Sequence, residues 1–393
     1  MFYLIIFFIL TALAVINIQF KDKLSNQMLT GFSALILICI AGLRYETGGD
    51  WDNYALLFSE FPTLSQVWHK PALLFEPDVE EGFVLLCAIV KEFSTNVQLL
   101  FFVVTFINIL LISSVLPKYT DFPVVGLLCY YCMLYFSLEM IYIRQATAVA
   151  LCFYALQYVQ PKKIVKYMLF ILLACSFHRV AIVMVPCWFI LNRKFPTWLY
   201  LTVILAGVVL MATGVSWIRG IFTTIASWLG ENYADKAEEY TETGVFAVHR
   251  QFGIGYFLNL CIFAFVMFFR GTIDNRPHGT VHLNMFTLSL VLYYYCYELV
   301  EVSNRFRLFF LISVIVVIPL LLESLPNFMS RLLGFGIALL YCFSFAQSYF
   351  LEKPQAIAYN PYQNYIEYKI HPRPSTGKQR LEKSHELFRQ SRR

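Results

Sequence analysis

The chain alternates long apolar runs with short polar breaks from its first residues to about residue 350. A helix that crosses a membrane needs about 20 apolar residues, and somewhat fewer where polar groups line an interior cavity. By this measure the pattern predicts about twelve membrane-spanning helices. The predicted spans are 3–20, 27–43, 97–116, 122–136, 138–159, 164–177, 179–192, 197–213, 252–270, 281–300, 304–322 and 326–350. Because the first run is long enough to span, we interpret it as a retained helix rather than a cleaved signal peptide.

Two segments depart from this pattern. The apolar run 82–92 is too short to cross a membrane alone and ends at a polar break, which predicts an interfacial or re-entrant helix. Residues 351–393 are polar and basic, with few apolar residues after Ile370, which predicts a mostly disordered tail. We therefore divide the chain into a transmembrane domain, 1–350, and a polar, basic C-terminal tail, 351–393.

Composition excludes most other classes of protein. Of the 393 residues 59% are hydrophobic and 14% are charged, against about 25% charged in an average soluble domain. A soluble globular chain, a disordered chain and a disulfide scaffold are therefore excluded, and an all-α polytopic membrane protein is predicted. The ten cysteines lie inside or beside apolar runs, which favours packing over disulfides.

The distribution of charge predicts an orientation. The short connections that carry Lys or Arg should face the cytoplasm, and these cations are Lys21, Lys23, Lys118, Lys162, Lys163, Arg193, Lys194, Arg270 and Arg276. The loops 44–82 and 214–250 carry mainly Asp and Glu, so we expect both to be extracytoplasmic. The span count then places the tail outside, whereas its basic residues favour the inside, so its side stays open.

The first candidate cluster is the stretch 44–54, directly after the second predicted span. The Gly48-Gly49 pair permits a tight turn with positive φ, which would bring the Asp50 carboxylate close to whatever Arg44 binds. The alternative is a polar loop with Arg44 among the lipid headgroups. Asp50 and Asp52 could also meet a metal ion, but further ligands at suitable spacing do not follow.

Arg144 is the second candidate. It lies about a turn and a half inside the predicted helix 138–159, deeper than an arginine comfortably reaches back to the headgroups. We therefore expect it to face an aqueous cavity. An ion pair with Glu139 or Glu298 is the alternative.

Two further clusters lie at predicted span boundaries. His178 and Arg179 form a polar hinge, where the imidazole can take a proton near neutral pH and the guanidinium can hold an anion; a helix-hairpin turn is the alternative. Arg305 and Arg307 offer bidentate donors that match phosphate oxygens, although arginines at a span boundary also simply reach toward headgroups. We expect Arg144 and Arg305 to share one outward-facing cavity.

These residues together suggest a phosphorylated lipid as the substrate. Several arginines near one face accompany a histidine and carboxylates, without a phosphate-binding glycine loop. Trp51 and Tyr54 could stack on sugar faces, although aromatic residues also form ordinary interfacial belts.

The order of these motifs resembles the EpsG/Wzy-type polysaccharide (O-antigen/exopolysaccharide) polymerase family. The matching elements are Arg44 through Gly48-Gly49-Asp50-Trp51 to Tyr54, Glu81-Gly82-Phe83, Ile143-Arg144-Gln145, Phe177-His178, Asn304-Arg305 and Tyr359-Asn360-Pro361-Tyr362. The resemblance implies a multi-span fold loosely related to integral-membrane, GT-C-like glycosyltransferases. It also implies a polyprenyl-pyrophosphate-linked oligosaccharide substrate, handled at the extracytoplasmic face of a bacterial inner (plasma) membrane.

The leading hypothesis is a polymerase that transfers a growing glycan from undecaprenyl pyrophosphate to the non-reducing end of a lipid-linked repeat unit. Such a reaction needs stabilisation of negative charge and a base for the acceptor hydroxyl. We assign pyrophosphate binding to Arg144 and Arg305 with Arg44 and Arg179 in support. Either Asp50 or His178 is the base, and Trp51 and Tyr54 bind glycan. Since arginines supply the counter-charge, no metal or other cofactor is expected.

Three alternatives stay open. One is a polyprenyl-phosphate-dependent glycosyltransferase that adds a single sugar, another is a glycan acyltransferase, and the third is a lipid-linked oligosaccharide flippase or transporter. A transporter should carry charges near the midplane and have repeated halves, whereas these charges lie mainly near one face. The expected partners are lipid-linked oligosaccharides, the bilayer, and a chain-length regulator and flippase of the same pathway. Nucleic acid is not expected.

Overall fold

The computed structural model describes residues 1–20, 22–229, 253–351, 355–372 and 374–391. Within these ranges the chain is all-helical, and its extended pairing is limited to an isolated antiparallel bridge between Arg44 and Asn364. The α-helices are Phe2–Gln19, Lys23–Gly42, Trp51–Glu60, Leu64–His69, Glu81–Lys91, Val97–Tyr119, Pro123–Tyr130, Phe136–Met140, Ile143–Ala155, Ile164–Cys175, Met184–Leu191, Thr197–Thr213, Ile218–Leu229, Ile254–Phe268, Arg270–Asp274, Gly279–Tyr295, Val300–Leu311, Val314–Glu323, Phe328–Phe350, Gln355–Tyr359, Tyr365–Ile370 and Gly377–Ser391. Residues 230–250 of the predicted loop 214–250 lie outside the described ranges.

Within the described residues, five helical segments are long and apolar enough to cross a membrane: Phe2–Gln19, Lys23–Gly42, Val97–Tyr119, Pro123–Met140 and Phe328–Tyr349. Two bent pairs raise this number to seven if each pair is one span: Thr197–Thr213 with Ile218–Trp228, and Val300–Leu311 with Val314–Glu323. Other predicted spans coincide with apolar helices of 10–17 residues. At 1.5 Å per residue these measure about 15 to 26 Å, short of the ~30 Å hydrocarbon core. The structure therefore supports a membrane protein with five to seven candidate spans, and twelve stays a prediction.

The segment Pro123–Met140 is the centre of the bundle and is buried along nearly its whole length. It is continuous through a π-helical turn at Tyr131–Tyr135. The prediction of a helix that begins at 138 is wrong, because the chain breaks at residues 141–142 and the next helix begins at Ile143. The Glu139 carbonyl at this break accepts a hydrogen bond from the Arg44 side chain. Arg44 thus replaces the backbone N–H that would bond to this carbonyl if the helix continued.

The C-terminal tail is folded against the start of the first polar loop. The prediction of a mostly disordered tail is wrong, since the described part of 351–393 contains three helices. The backbone N–H of Tyr45 donates to the Gln363 carbonyl at 2.8 Å, and that of Tyr365 donates to the Leu43 carbonyl at 2.8 Å. The tail therefore lies at the same end of the bundle as the turn that follows Lys23–Gly42.

Several of the basic connections between helices lie at the other end of the bundle. Arg276 forms ion pairs with Glu323 at 3.1 Å and with Asp121 at 3.4 Å. Lys118 donates to the Gln157 side chain at 2.8 Å. Arg276 and Lys118, two of the cations predicted to face the cytoplasm, therefore lie at this end of the bundle.

Candidate functional site

Arg44 fixes the turn 44–50 to the core of the bundle. Its side chain is 1% exposed, donates to the carbonyls of Ala41 (3.3 Å) and Glu139, and lies over the Phe101 ring at 4.5 Å. The sequence hypothesis gave Arg44 a supporting role in pyrophosphate binding. The structure instead places its guanidinium under the turn, separated from the cluster that contains Arg144.

Gly48 allows this turn to approach the end of the central helix. Its φ is +111°, and a Cβ atom at this position would lie 2.6 Å from the Met140 carbonyl oxygen. Its N–H donates to the Ala358 carbonyl of the tail at 3.1 Å. Only glycine adopts this conformation without strain, so the predicted tight turn is present and depends on residue 48.

Asp50 immediately precedes the helix Trp51–Glu60. Its carboxylate accepts a hydrogen bond from the Asn53 side chain at 3.2 Å. Burial raises the pKa of Asp50, and nearby Asp52 acts in the same direction, whereas Asn53, His385 and Arg144 oppose the shift. Asp50 is therefore a stronger base than an ordinary aspartate, and it lies within electrostatic reach of a guanidinium.

Arg144 is at the centre of the site. Its Nη1 lies 2.5 Å from Glu80 Oε2, with 29% of the Arg144 side chain and 11% of the Glu80 side chain exposed. The phenol of Tyr54 lies near the Arg144 guanidinium. Because Arg144 is the second residue of Ile143–Ala155, the expectation that it lies a turn and a half inside a helix is wrong.

The ion-pair partner also differs from both sequence alternatives. Glu139 accepts hydrogen bonds from Asn108 and Tyr130 in the core. Glu298 accepts from the backbone N–H groups of Trp217 and Ile218. Arg144 therefore pairs with Glu80, a carboxylate of the first acidic loop.

Glu80 also connects the site to the histidine hinge. Its Oε1 accepts a hydrogen bond from the backbone N–H of Arg179 at 3.3 Å. The side chain of Arg179 is exposed, so this residue contacts the cluster through its backbone. Next to it, the buried Nδ1 of His178 has no hydrogen-bond partner among the described residues. The pKa of His178 is lowered to about 4, chiefly by burial; Glu80 opposes this shift and Arg144 and Arg305 contribute to it, so the imidazole is neutral at pH 7.

Arg305 faces this cluster from the helix Val300–Leu311. Its Nε lies 3.7 Å from Glu301 Oε1, and its backbone carbonyl accepts a hydrogen bond from the Gln145 side chain at 2.6 Å. Arg307 points away, with its guanidinium 4.8 Å from the centre of the Tyr293 ring. Side chains two positions apart on an α-helix are rotated by about 200° around its axis. Arg305 and Arg307 therefore do not point to one binding site.

The two predicted glycan-binding residues have different environments. Trp51 and Tyr54 are both buried. Both belong to the hydrophobic core, but Tyr54 also packs edge-on against the Phe83 ring and has its phenol near Arg144. Of the two, the structure brings only Tyr54 into contact with the charged cluster.

Sequence reasoning missed Glu80, and a nearby glycine is the signal that could have found it. A Cβ atom on Gly82 would lie 2.3 Å from Ser176 Oγ, and the Gly82 N–H donates to the Ser176 carbonyl at 2.8 Å. This close approach brings the start of Glu81–Lys91 against the hinge that precedes His178. Glu80 is thereby placed between His178 and Arg144.

The site can therefore hold an anion and accept a proton. It combines two partly exposed guanidinium groups, a neutral imidazole and a carboxylate with a raised pKa. Among the described residues, no group of three or more His, Cys, Asp or Glu side chains is arranged to hold a metal ion.

Comparison with known proteins gives one result. A protein-family model described as the EpsG family matches residues 27–365. The matched range contains Asp50, Glu80, Arg144, His178 and Arg305 and ends before the helix Gly377–Ser391. Neither a curated protein nor a solved structure matches the chain.

Proposed function

This chain belongs to the EpsG family of polysaccharide polymerases, and we propose that it transfers a growing glycan from undecaprenyl pyrophosphate to the non-reducing end of a lipid-linked oligosaccharide repeat unit. Family membership and the apolar helices give a membrane-embedded protein with a polymerase-type role. We propose the donor, the acceptor and the residues that act on them.

The observation that carries the proposal is the half-buried guanidinium of Arg144, with that of Arg305 facing the same histidine. A guanidinium is permanently charged and matches phosphate oxygens with paired donors. Glu80 fixes the orientation of Arg144 while part of the Arg144 side chain stays exposed. Such an arrangement favours an anionic leaving group over a neutral one.

In the proposed reaction, the bond between the anomeric carbon and a pyrophosphate oxygen breaks while a bond to the acceptor oxygen forms. Arg144 and Arg305 stabilise the negative charge that collects on the departing pyrophosphate. The acceptor hydroxyl loses its proton to a base of this chain. The permanent charge on the two guanidinium groups is sufficient for this role, so the reaction as proposed uses no metal.

Asp50 is the better candidate for that base. A general base works best when its pKa is close to the working pH, and burial moves the pKa of Asp50 upward. Burial moves the pKa of His178 to about 4, away from neutral pH. We therefore assign proton removal to Asp50, and we assign to His178 a neutral imidazole that hydrogen-bonds to the substrate.

The cellular position is part of the same proposal. The acidic character of 44–82, opposite basic connections, supports an extracytoplasmic site in a bacterial inner membrane. A flippase that delivers the repeat unit and a regulator of chain length would then be its partners in the pathway.

The proposal is tested by supplying synthetic polyprenyl-pyrophosphate repeat units to membranes that contain the wild type, Asp50→Asn or Asp78→Asn. The wild type should produce a ladder of polymers, Asp50→Asn should lose it, and the exposed Asp78→Asn should retain it. A single-sugar adduct without a ladder would identify a monosaccharide transferase instead. Transport of the lipid without any new glycosidic bond would identify a flippase.

A further inference from the structure

An amphipathic helix lies across the end of the bundle next to the charged cluster. The helix Ile218–Leu229 makes an angle of 94° with the preceding helix Thr197–Thr213. The bend is held by Glu298, which accepts hydrogen bonds from the backbone N–H of Trp217 at 2.9 Å and of Ile218 at 3.1 Å. The crossing orientation is therefore fixed by partly buried hydrogen bonds to one carboxylate.

Beneath this helix lies an apolar groove with a volume of about 270 Å³. Ile221, Phe222 and Ile225 form one wall, and Leu299, Val302 and Phe306 contribute to the other. Ser303 also lines it, but its hydroxyl donates to the Leu292 carbonyl at 2.9 Å and so needs no partner in the groove. These described walls favour an apolar occupant.

The helix Val300–Leu311 contributes both to the groove, through Val302 and Phe306, and to the charged cluster, through Arg305. Val302 and Phe306 share one face of the helix Val300–Leu311, and Arg305 lies at the edge of that face, about 60° to 100° around the helix axis. Arg305 also faces His178 and Arg144 across the site. An apolar chain in the groove would therefore have its first atoms beside a guanidinium.

Two other apolar cavities are smaller and lie elsewhere. One, of about 90 Å³, is lined by Phe269 and Leu325, and the other, of about 130 Å³, by Tyr200 and Asn284. Tyr200 lies under Arg270, at the end of the bundle with the basic connections. Of these three cavities, the one beside Arg305 is the largest.

We propose that this groove binds the isoprene units nearest the phosphate of a polyprenyl phosphate or pyrophosphate, with the phosphate at Arg305 and Arg144. The inference rests on the proposed function for the identity of the lipid. In a polyprenyl phosphate the apolar chain is joined directly to the phosphate oxygen, which matches a groove that starts next to a guanidinium. A glycerophospholipid instead places a glycerol and two ester groups between its phosphate and its two chains.

The test uses purified full-length protein in nanodiscs and a polyprenyl monophosphate that carries a photoreactive diazirine near its phosphate end. Crosslinked peptides are mapped by mass spectrometry, and we expect them within 218–229 and 299–306. Excess undecaprenyl phosphate should abolish this labelling, whereas excess phosphatidylglycerol should not. Labelling that phosphatidylglycerol suppresses equally would make the groove an ordinary lipid-contact surface and overturn the proposal.

Two variants probe the groove and its charged end. Val302→Trp should fill the groove and reduce labelling about tenfold, because the indole would occupy the space proposed for the isoprene units. Arg305→Gln should reduce labelling by the phosphate probe but not by the matching polyprenol probe. Leu205→Trp, at an exposed apolar position of Thr197–Thr213, is the matched control and should label normally. Equal labelling of Val302→Trp and wild type would contradict the assignment.

This experiment separates the groove from the catalytic proposal. Labelling in the groove together with failure of polymer synthesis would retain the lipid site and overturn the polymerase chemistry. Polymer synthesis without labelling in the groove would retain the polymerase chemistry and overturn the lipid site.

Discussion

Arg144 contributes the shape of its side chain as well as its charge. Lysine keeps the charge but cannot contact Glu80, Tyr54 and a phosphate with one planar group. We expect Arg144→Lys to lose about ten- to a hundredfold in rate, because a charge-assisted hydrogen bond contributes roughly 1.5–3 kcal/mol. Polymer synthesis at matched membrane abundance measures the effect.

The control for this substitution is Arg193→Lys, at an exposed position on a basic connection. It should retain normal synthesis. Near-normal polymer length and rate in Arg144→Lys would show that Arg144 only supports the structure, and the pyrophosphate site would then have to be sought around Arg305.

Asp50 gives the reaction a pH dependence. As a base it must be ionised, so synthesis should fall as the pH drops through its pKa, which burial places above that of an ordinary aspartate. Asn53 donates a hydrogen bond that favours the ionised form. Asn53→Ala should therefore raise the pKa of Asp50 and move the acid side of the pH–rate profile to higher pH.

The same profile, measured for Asn192→Ala at the end of Met184–Leu191, should match that of the wild type. If Asn53→Ala leaves the acid side in place while the protein remains folded, the titrating base is a group other than Asp50.

The turn 44–50 is an element whose geometry depends on one glycine. Alanine at position 48 would have to adopt a φ of +111° with its Cβ against the Met140 carbonyl. We expect Gly48→Ala to destabilise the protein by about 1–3 kcal/mol, which thermal unfolding in detergent would show as a lower Tm. Gly336→Ala, in an open helical position, should leave Tm unchanged or raise it slightly. Equal effects of the two substitutions would show that the turn is not strained.

The helix Gly377–Ser391 is held by another single residue. The buried Arg380 donates to the carbonyls of Pro361 at 2.8 Å and Glu46 at 3.1 Å, and to the Gln363 side chain at 3.2 Å. Arg380→Ala should release this helix and speed tryptic cleavage of the tail about five- to a hundredfold, since buried hydrogen bonds lost here cost of order 1–3 kcal/mol. The exposed control Glu382→Ala should be cleaved at the wild-type rate. An unchanged rate in Arg380→Ala would mean that other contacts hold the tail.

Local composition was enough to locate the apolar helices. Each of the five long apolar segments overlaps a span predicted from the sequence, because hydropathy and length are properties of the segment itself. The break at 141–142 was not predictable in this way, since it involves a contact between Arg44 and Glu139, 95 positions apart. The same holds for the pair of Arg144 and Glu80, which are 64 positions apart.

For the site, sequence reasoning found residue types but not partners. Ionisable residues near span boundaries identified Asp50, Arg144, His178 and Arg305, which the structure places around one cluster. Arg44 has the same sequence signature, yet its guanidinium lies in the core. Tertiary packing decides whether an arginine is partly exposed, as Arg144 is, or holds a turn in the core, as Arg44 does. No local sequence pattern encodes this difference.

At the scale of the whole molecule, the contacts of the tail make a prediction about sidedness. Because the tail bonds to residues 43–48, Ser65→Cys in the first loop and Glu382→Cys in the tail should be accessible from the same side of the membrane. Lys163→Cys, at the opposite end of the bundle, should be accessible from the other side. An impermeant thiol reagent on right-side-out and inverted vesicles, with Cys261 replaced by alanine, measures all three.

We expect positions 65 and 382 to be labelled in right-side-out vesicles and position 163 only after inversion. Labelling of 65 and 382 from different sides would contradict the packing of the tail. Labelling of both only in inverted vesicles would keep that packing and reverse the orientation inferred from charge.

The packing of Arg380 against Glu46 also sets an order of events during protein synthesis. The two residues are 334 positions apart, so at about 5–20 residues per second a ribosome adds the second roughly 15 to 70 s after the first. Throughout that interval the turn that carries Asp50 exists without the helix that packs against it. A nascent or prematurely terminated chain therefore lacks the contact that holds this turn from the side of the tail.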